Sequence, residues 1–343
     1  MSPVPFSGEP GADRAQPSWS NGSWLPSRRH DRSGRRFTAG PATGAAALVT
    51  LAVLAVAVLT SGNSPGAGAG SLPWPPEGQT SVVVEGLGAH GDLGTRGERT
   101  PVPIASVTKV MTAWVILRDR PLRAGEDGPL VTVDRTAANE SVSGVESSVP
   151  VREGTRLSER RLLELLLIPS GNNIARLLAR WNAGSQEAFV MKMNRAARDL
   201  GMRHTTYTGA SGIEPTTTST SADQLRLARR VMRDEVFRTV VAMPGTTVPG
   251  VPGTIRNTNT NTLLGTAGVI GLKTGSSTPA GGALMWAATA SDSGGRDRLI
   301  LGVVLHQRSG TDPRQGLRAA LARSHALIEG IRRWLSTTSP GTR

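Results

Sequence analysis

The 343-residue chain carries 39 Lys+Arg against 26 Asp+Glu, a formal charge of +13, with 38% hydrophobic and 19% charged residues; that balance excludes a wholly disordered chain. It has no cysteine, which excludes disulfides, thiolate metal sites and a cysteine nucleophile. The positive charge is dispersed among acids, as in "REGTRLSERRLLE", without a finger, recognition helix or RNA-binding aromatic motif, so no nucleic-acid partner is expected and a polyanionic envelope is the better match.

Residues 1–40 are rich in Ser, Gly, Pro and Arg and have no apolar periodicity, which predicts a disordered basic tail. The next segment, 41–61, is uncharged from Pro41 to Thr60. Twenty residues at helical rise span about 30 Å, the thickness of a hydrocarbon core. Arg28, Arg29, Arg32, Arg35 and Arg36 precede it. By the positive-inside rule this predicts a transmembrane signal-anchor with a cytoplasmic N-terminus and the remainder outside. The alternative is a secreted chain, with "GAGAGS" offering a cleavage site. A Gly/Pro linker is expected over 62–79 and a single catalytic domain over 80–336, followed by a flexible tail over 337–343.

Within that domain "SVVVEGL" predicts an early strand. Helices are predicted at "SVTKVMTAWVILRD", buried on most sides, and at "LSERRLLELLLI", ended by Pro169. Others follow at "NIARLLARWN", "SQEAFVMKMNRAARDLG" and "SADQLRLARRVM", the last with Ser221 as N-cap and Asp223 in its first turn. Two apolar runs, "AGGALMWAATA" and "RLILGVVLHQ", flank the turn cluster "SDSGGRD" and predict an antiparallel hairpin. A long amphipathic helix, "RQGLRAALARSHALIEGIRRWL", closes the domain. Strands at both ends with helices between them predict an α/β domain whose antiparallel sheet is built from both chain ends.

Only three of the basic residues are lysine: Lys109, Lys192 and Lys273. Lys109 stands three residues after Ser106, so on a helix the two share a face. A serine hydroxyl is a weak nucleophile until a neighbour takes its proton. Arginine does not deprotonate in proteins, whereas a desolvated lysine falls towards neutral pKa, and a second cation such as Lys273 lowers it further. With Ser106 in the first turn, the helix N-terminus favours an anionic intermediate. Two further motifs follow in order: "SGN" (Ser170 to Asn172) and "KTG" (Lys273 to Gly275). At this composition K-T-G has a chance expectation of only ~0.03 copies, so it carries most of the weight.

The ordered set S-x-x-K, S-x-N and K-T-G resembles the penicillin-binding proteins and β-lactamases. The match is closest to the low-molecular-weight D-alanyl-D-alanine carboxypeptidases. "PIASVTKVMTA", "LLLIPSGNNIA", "MNRAARDLGMRHTTY", "NTNTLL" and "GLKTGSSTPAG" carry the resemblance. It implies the DD-peptidase fold, with a helical subdomain inserted in the sheet, and a serine carboxypeptidase that trims peptidoglycan stem peptides ending in D-Ala-D-Ala. It also implies inhibition by β-lactams and needs no cofactor. By the same resemblance Ser106 is the nucleophile and Lys109 its base. Ser170 relays a proton to the leaving group, and Asn172 binds substrate or orients the base. The "GLKTGSST" strand takes the substrate peptide by strand addition, with Lys273 and Thr274 facing the terminal carboxylate. The amide of Ser276 completes an oxyanion hole with that of Ser106. Arg308 falls where relatives place an arginine for the substrate carboxylate.

Two alternatives accompany this reading. A class A β-lactamase would need an E-x-x-L-N segment after Asn172, which does not occur. A catalytically silent peptidoglycan-binding protein would have no reason to keep Lys109 and Lys273 as lysine. His30, His90, His204, His306 and His325 show no metal-ligand spacing. Glu146 has no paired carboxylate and is read as structural. Relatives often carry a further β-rich domain and a C-terminal anchor; here the stretch after Gly275 is expected to finish the sheet and last helix, with the anchor at the N-terminus. Lys192 has no assignment.

Overall fold

The structure is a computed structural model that describes residues 71–142, 144–248 and 257–337. The expected tail, the apolar segment 41–61 and the final residues lie outside the described residues; among those described, no helix is long and apolar enough to cross a membrane.

Among the described residues, five strands form the main sheet: β1 (Gln79–Val84), β2 (Asp92–Gly97), β3 (Val269–Ser277), β4 (Gly281–Ser291) and β5 (Asp297–Gln307). Their order is β2-β1-β5-β4-β3, and every neighbouring pair is antiparallel. The early strand thus docks on the late hairpin, as the sequence predicts. Both faces are buried, which the period-2 alternation makes visible. Val83, Met285, Leu301, Val303 and Leu305 join the large helical core. Val82, Val84, Leu284, Trp286 and Ile300 face the other way, onto α8 (Pro313–Thr337) through its Leu327, Ile328 and Ile331.

Seven helices are described between β2 and β3: α1 (Lys109–Asp119), α2 (Arg135–Glu140), α3 (Glu159–Leu167), α4 (Asn172–Ala183), α5 (Gln186–Asp199), α6 (Ser221–Val231) and α7 (Glu235–Val241). Eight of the eleven α1 residues are buried, and α1 packs against α3, α4, α5 and α6, so it is the axis of the helical half. Side-chain caps start the neighbouring helices: Ser158 accepts from Arg161 N at α3, and Ser185 from Ala188 N at α5. Two-stranded pairs supplement the main sheet: Val102–Pro103 with Thr218–Ser219, Leu130–Thr132 with Arg156–Ser158, and Gly245–Thr246 with Asn257–Thr258. They are too short to leave a periodic signal.

Two boundaries differ from expectation. The N-cap of α6 is Thr220, whose hydroxyl accepts from Asp223 N, and Ser221 is the first helical residue. The Ser221 hydroxyl is drawn instead to Ser81 on β1, at 2.9 Å; of two adjacent hydroxyls, only the extended residue reaches the orphan amide. The sequence predicts a linker running to residue 79, yet Leu72 is buried in the α8 core and Trp74 carries the Arg96 guanidinium on its ring. An apolar Leu and Trp in a Pro-rich stretch are enough to hold it on the domain.

Trp286 on β4 is fully buried and stands directly opposite Gly302 on β5; a Cβ at Gly302 would lie 2.1 Å from its ring. The glycine therefore serves as the floor for the indole. Gly302→Ala is expected to destabilise by about 1–3 kcal/mol through overpacking, read as a lower denaturant midpoint with unchanged m-value.

Candidate active site

Ser106 sits in a 3₁₀ turn, Ala105–Thr108, that runs straight into α1. The sequence places it in the helix's first turn; the tighter turn begins at Ala105, which holds a left-handed φ of +44°. The Thr108 hydroxyl closes the turn on Ala105 O at 2.7 Å. Such a backbone cost is tolerated where the surroundings over-determine it. Gly212 is one of those surroundings: its φ is +80°, and a Cβ there would come within 2.0 Å of Ala105 O.

Lys109 is fully buried. Its Nζ donates to Ser106 Oγ at 2.8 Å, Asn172 Oδ1 at 2.6 Å and Ser211 O at 2.8 Å. The three acceptors come from the Ala105–Thr108 turn, the start of α4 and the loop that carries Gly212. Burial, and then the Lys273 and Arg176 cations, hold the Lys109 pKa well below the ordinary lysine value, while Glu146 and Glu214 pull it upwards.

Asn172 opens α4 and Ser170 lies two residues before it, in the loop after Pro169. Ser170 is buried and has a left-handed φ of +67°; among the described residues its hydroxyl has no hydrogen-bond partner. A buried unpaired hydroxyl on a strained backbone calls for an explanation beyond folding. Asn172 Nδ2 donates to Glu146 Oε2 at 2.8 Å. Glu146 is gripped by Arg176, one turn along α4, and Arg176 in turn donates from Nε to Glu140 Oε2 at 2.9 Å. Burial pushes the Glu146 carboxyl up, but its bonds to Arg176 and Asn172 outweigh that and its pKa falls below the usual value.

The K-T-G motif lies on β3, whose other side is the edge of the sheet. Lys273 is fully buried, donates to Thr274 O at 3.1 Å, and is pushed down to about 7 by burial. Thr274 Oγ1 shares a 2.6 Å hydrogen bond with Thr260 Oγ1 in the "NTNTLL" segment, and Thr260 N donates to Ile168 O just before the S-G-N loop. Gly275 allows the closest approach: a Cβ there would meet Ile104 O, Ser106 N and Val107 N, each at 3.0 Å. The strand backbone therefore passes directly beside the Ser106 amide. Ser276 follows on the same strand, paired with Gly282 and half-buried.

The structure thus gathers Ser106, Lys109 and Asn172 by direct hydrogen bonds. It sets Ser170 beside them in sequence, and brings Lys273, Thr274, Gly275 and Ser276 alongside on one strand. Arg308 stands apart from that network. It is exposed at the end of β5, with a φ of +51°, and lines a surface cavity with Glu77, Gln315 and Arg318.

Sequence reasoning missed the ring behind Asn172, namely Arg176 and Glu140, and the Ser211 carbonyl. One signal was available: Asn172 and Arg176 are four apart on a helix, hence on one face. A backbone carbonyl such as Ser211 O leaves no trace in side-chain identity. Glu146, structural by its sequence context, touches Asn172 and no reacting atom.

With this geometry in view, the comparisons converge. The sequence profile of the D-alanyl-D-alanine carboxypeptidase peptidases matches residues 91–308. A D-alanyl-D-alanine carboxypeptidase of Streptomyces sp. strain K15 is 34% identical over 236 residues, covering 65% of this chain and 78% of that protein. The crystal structure of the Streptomyces K15 DD-transpeptidase superposes with a TM-score of 0.61 at 28% identity, over 73% of this chain and 95% of that one. A D-alanyl-D-alanine carboxypeptidase structure from Mycobacterium tuberculosis gives 0.64 at 27% identity, over 78% and 95%. The chain belongs to the D-alanyl-D-alanine carboxypeptidase family, the low-molecular-weight penicillin-binding serine hydrolases of the cell wall.

Proposed function

We propose that Ser106 is the acylated residue of this penicillin-binding D-Ala-D-Ala carboxypeptidase and that Lys109 is its base. The observation that carries the reading is the buried Lys109 amine, 2.8 Å from Ser106 Oγ. In its neutral form the amine takes the hydroxyl proton as Oγ attacks the carbonyl carbon of the penultimate D-alanine. The charge on the tetrahedral oxygen falls to the amides of Ser106 and Ser276. Collapse breaks the peptide bond, and the departing D-alanine nitrogen receives a proton through Ser170, whose hydroxyl has no partner among the described residues. Water then attacks the Ser106 ester, with Lys109 again accepting a proton. An amine acceptor in place of water turns the same acyl-enzyme to transpeptidation. β3 receives the stem peptide as an added strand, and Lys273, with the Thr274 hydroxyl, meets its carboxylate. Arg308 supports that carboxylate from the end of β5. A β-lactam, acylating Ser106 in the same way, blocks the site.

We further propose that the uncharged segment 41–61 anchors the chain in the bacterial membrane with its N-terminus inside. An alkaline-phosphatase fusion after residue 75 is expected to be active outside the cytoplasm. Activity confined to the cytoplasm refutes that topology.

Labelling with a fluorescent penicillin tests the catalytic reading. Wild type is expected to form a stable adduct, while Ser106→Ala and Lys109→Arg form none. Equal labelling of Ser106→Ala removes the nucleophile assignment, and fast drug turnover favours a β-lactamase.

Lys273 yields a separate expectation. Its folded pKa of about 7 lies below the ordinary lysine value, so at pH below 7 the protein bears the full cost of burying the charge. Between about 7 and 10.5 the unfolded chain holds a proton that the folded chain has shed, and stability rises with pH. Lys273→Met is therefore expected to raise stability at pH 7 by about 1–3 kcal/mol, an advantage that fades towards pH 10.5, while KM for a D-Ala-D-Ala peptide rises at least tenfold. Lower stability of the Met variant at pH 7 contradicts the assignment.

A further inference from the structure

A neutral lysine has two N–H groups and one lone pair. If Lys109 is to accept the Ser106 proton, its two N–H groups must be occupied elsewhere so that the lone pair is left facing Oγ. Ser211 O and Asn172 Oδ1, at 2.8 and 2.6 Å, are suited to this because both only accept. Ser211 O is backbone and cannot change character. Asn172 can: an amide turned by 180° presents Nδ2, a donor, in place of Oδ1. A donor aimed at Lys109 takes up the lone pair, and the base is spent within the site.

The other end of the amide decides which way it stands. Asn172 Nδ2 is 2.8 Å from Glu146 Oε2, and an ionised carboxylate only accepts. The turned amide would set Oδ1 against Oε2, two acceptors in contact. Glu146 is kept ionised and in place by Arg176, which meets both its oxygens and is fastened to Glu140. The arrangement resembles the carboxylate that fixes which nitrogen of a histidine carries its proton, applied here to an amide.

We propose that Glu146, clamped by Arg176, is a positioning residue that locks the amide of Asn172 with its oxygen towards Lys109, and so keeps the Lys109 lone pair on Ser106. The inference rests on the reading of Lys109 as base. It assigns Glu146 no contact with substrate and no proton to transfer.

The lock makes an unusual ordering. Glu146→Gln leaves one acceptor at this position, which Arg176 will claim, so the new NH₂ group is turned towards Asn172. The Asn172 amide then favours the turned orientation, with Oδ1 towards that NH₂ and Nδ2 towards Lys109. Glu146→Ala leaves the site to water, which donates or accepts, so both orientations are populated. A packing or general structural role predicts that alanine does more harm than the isosteric glutamine. The lock predicts the reverse.

The experiment measures the second-order acylation rate by a fluorescent penicillin across pH for wild type, Glu146→Gln, Glu146→Ala and Lys109→Arg, with thermal melts to establish folding. Glu146→Gln is expected to acylate roughly 10- to 100-fold more slowly, and Glu146→Ala only a few-fold more slowly. A second readout is the acid limb of the pH profile. The charged groups acting on Lys109 are Lys273 and Arg176, which lower its pKa, and Glu146 and Glu214, which raise it. Loss of the Glu146 charge therefore moves the limb to lower pH in both variants. Glu146→Gln at the wild-type rate, or Glu146→Ala more impaired than Glu146→Gln, overturns the lock. Should Lys109→Arg still acylate, the base reading fails instead, and the two failures are told apart.

Discussion

The constraint on which the rest depends is the burial of one amine. An isolated ammonium in a protein interior is costly, and among the described residues the hydrogen-bond partners of Lys109 are a hydroxyl, an amide oxygen and a peptide carbonyl, with no carboxylate. Neutral acceptors stabilise the charge less than an ion pair would, so the balance is left tilted towards the neutral form. The fold supplies the low dielectric by making α1 its buried axis, with Val110, Met111, Ala113 and Val115 fully enclosed. Chemistry and packing are here one requirement, since a more exposed α1 would weaken the core and restore the lysine to its ordinary pKa together.

The sheet meets that constraint from the other side. β3 lies close beside the Ser106 turn at Gly275, where a Cβ would stand 3.0 Å from three backbone atoms of Ile104–Val107, and the Thr274–Thr260 hydroxyl pair helps to align it. The link continues through Thr260 N to Ile168 O, so the strand and the S-G-N loop are tied to one short segment. The buried Lys273 amine adds a positive potential in the same cavity, and by repulsion pushes Lys109 further towards neutrality. Three motifs separated by long stretches of sequence are in this way adjusted to one another through backbone contacts and field.

Much of this was legible in the sequence, and the parts that were not share a cause. The apolar runs "AGGALMWAATA" and "RLILGVVLHQ" around a turn cluster announced the antiparallel hairpin, which the structure forms as β4 and β5 with Trp286 and Met285 on opposite sides. The three motifs announced Ser106, Lys109, Asn172 and Lys273 because side-chain chemistry is written in residue identity. The Ser211 carbonyl and the Gly212 turn under Ala105 act through the backbone, which any residue could have supplied. Glu146 and Arg176 were hidden for another reason. Each is an ordinary surface-type residue until tertiary structure sets Glu146 between Asn172 and Arg176. The choice of Thr220 over Ser221 as cap turned on which of two adjacent hydroxyls has an extended backbone, and the Ser221 hydroxyl meets Ser81 instead.

The scarcity of lysine has a narrower meaning than the sequence invites. Lys109 and Lys273 are fully buried and their pKa values are displaced downwards, so the ability to lose a proton is available at both. Lys192 is different. Its side chain is 37% exposed and it bridges Asp119 at 2.9 Å and Asn182 Oδ1 at 2.9 Å, tying α5 to the ends of α1 and α4. Arginine makes the same kind of bridge elsewhere in this protein, where Arg176 joins Glu140 to Glu146, so the Lys192 contacts do not by themselves require an ammonium. Rarity alone therefore does not mark chemistry: burial, which Lys109 and Lys273 share and Lys192 lacks, is what gives an amine the capacity to lose its proton where a guanidinium would keep it.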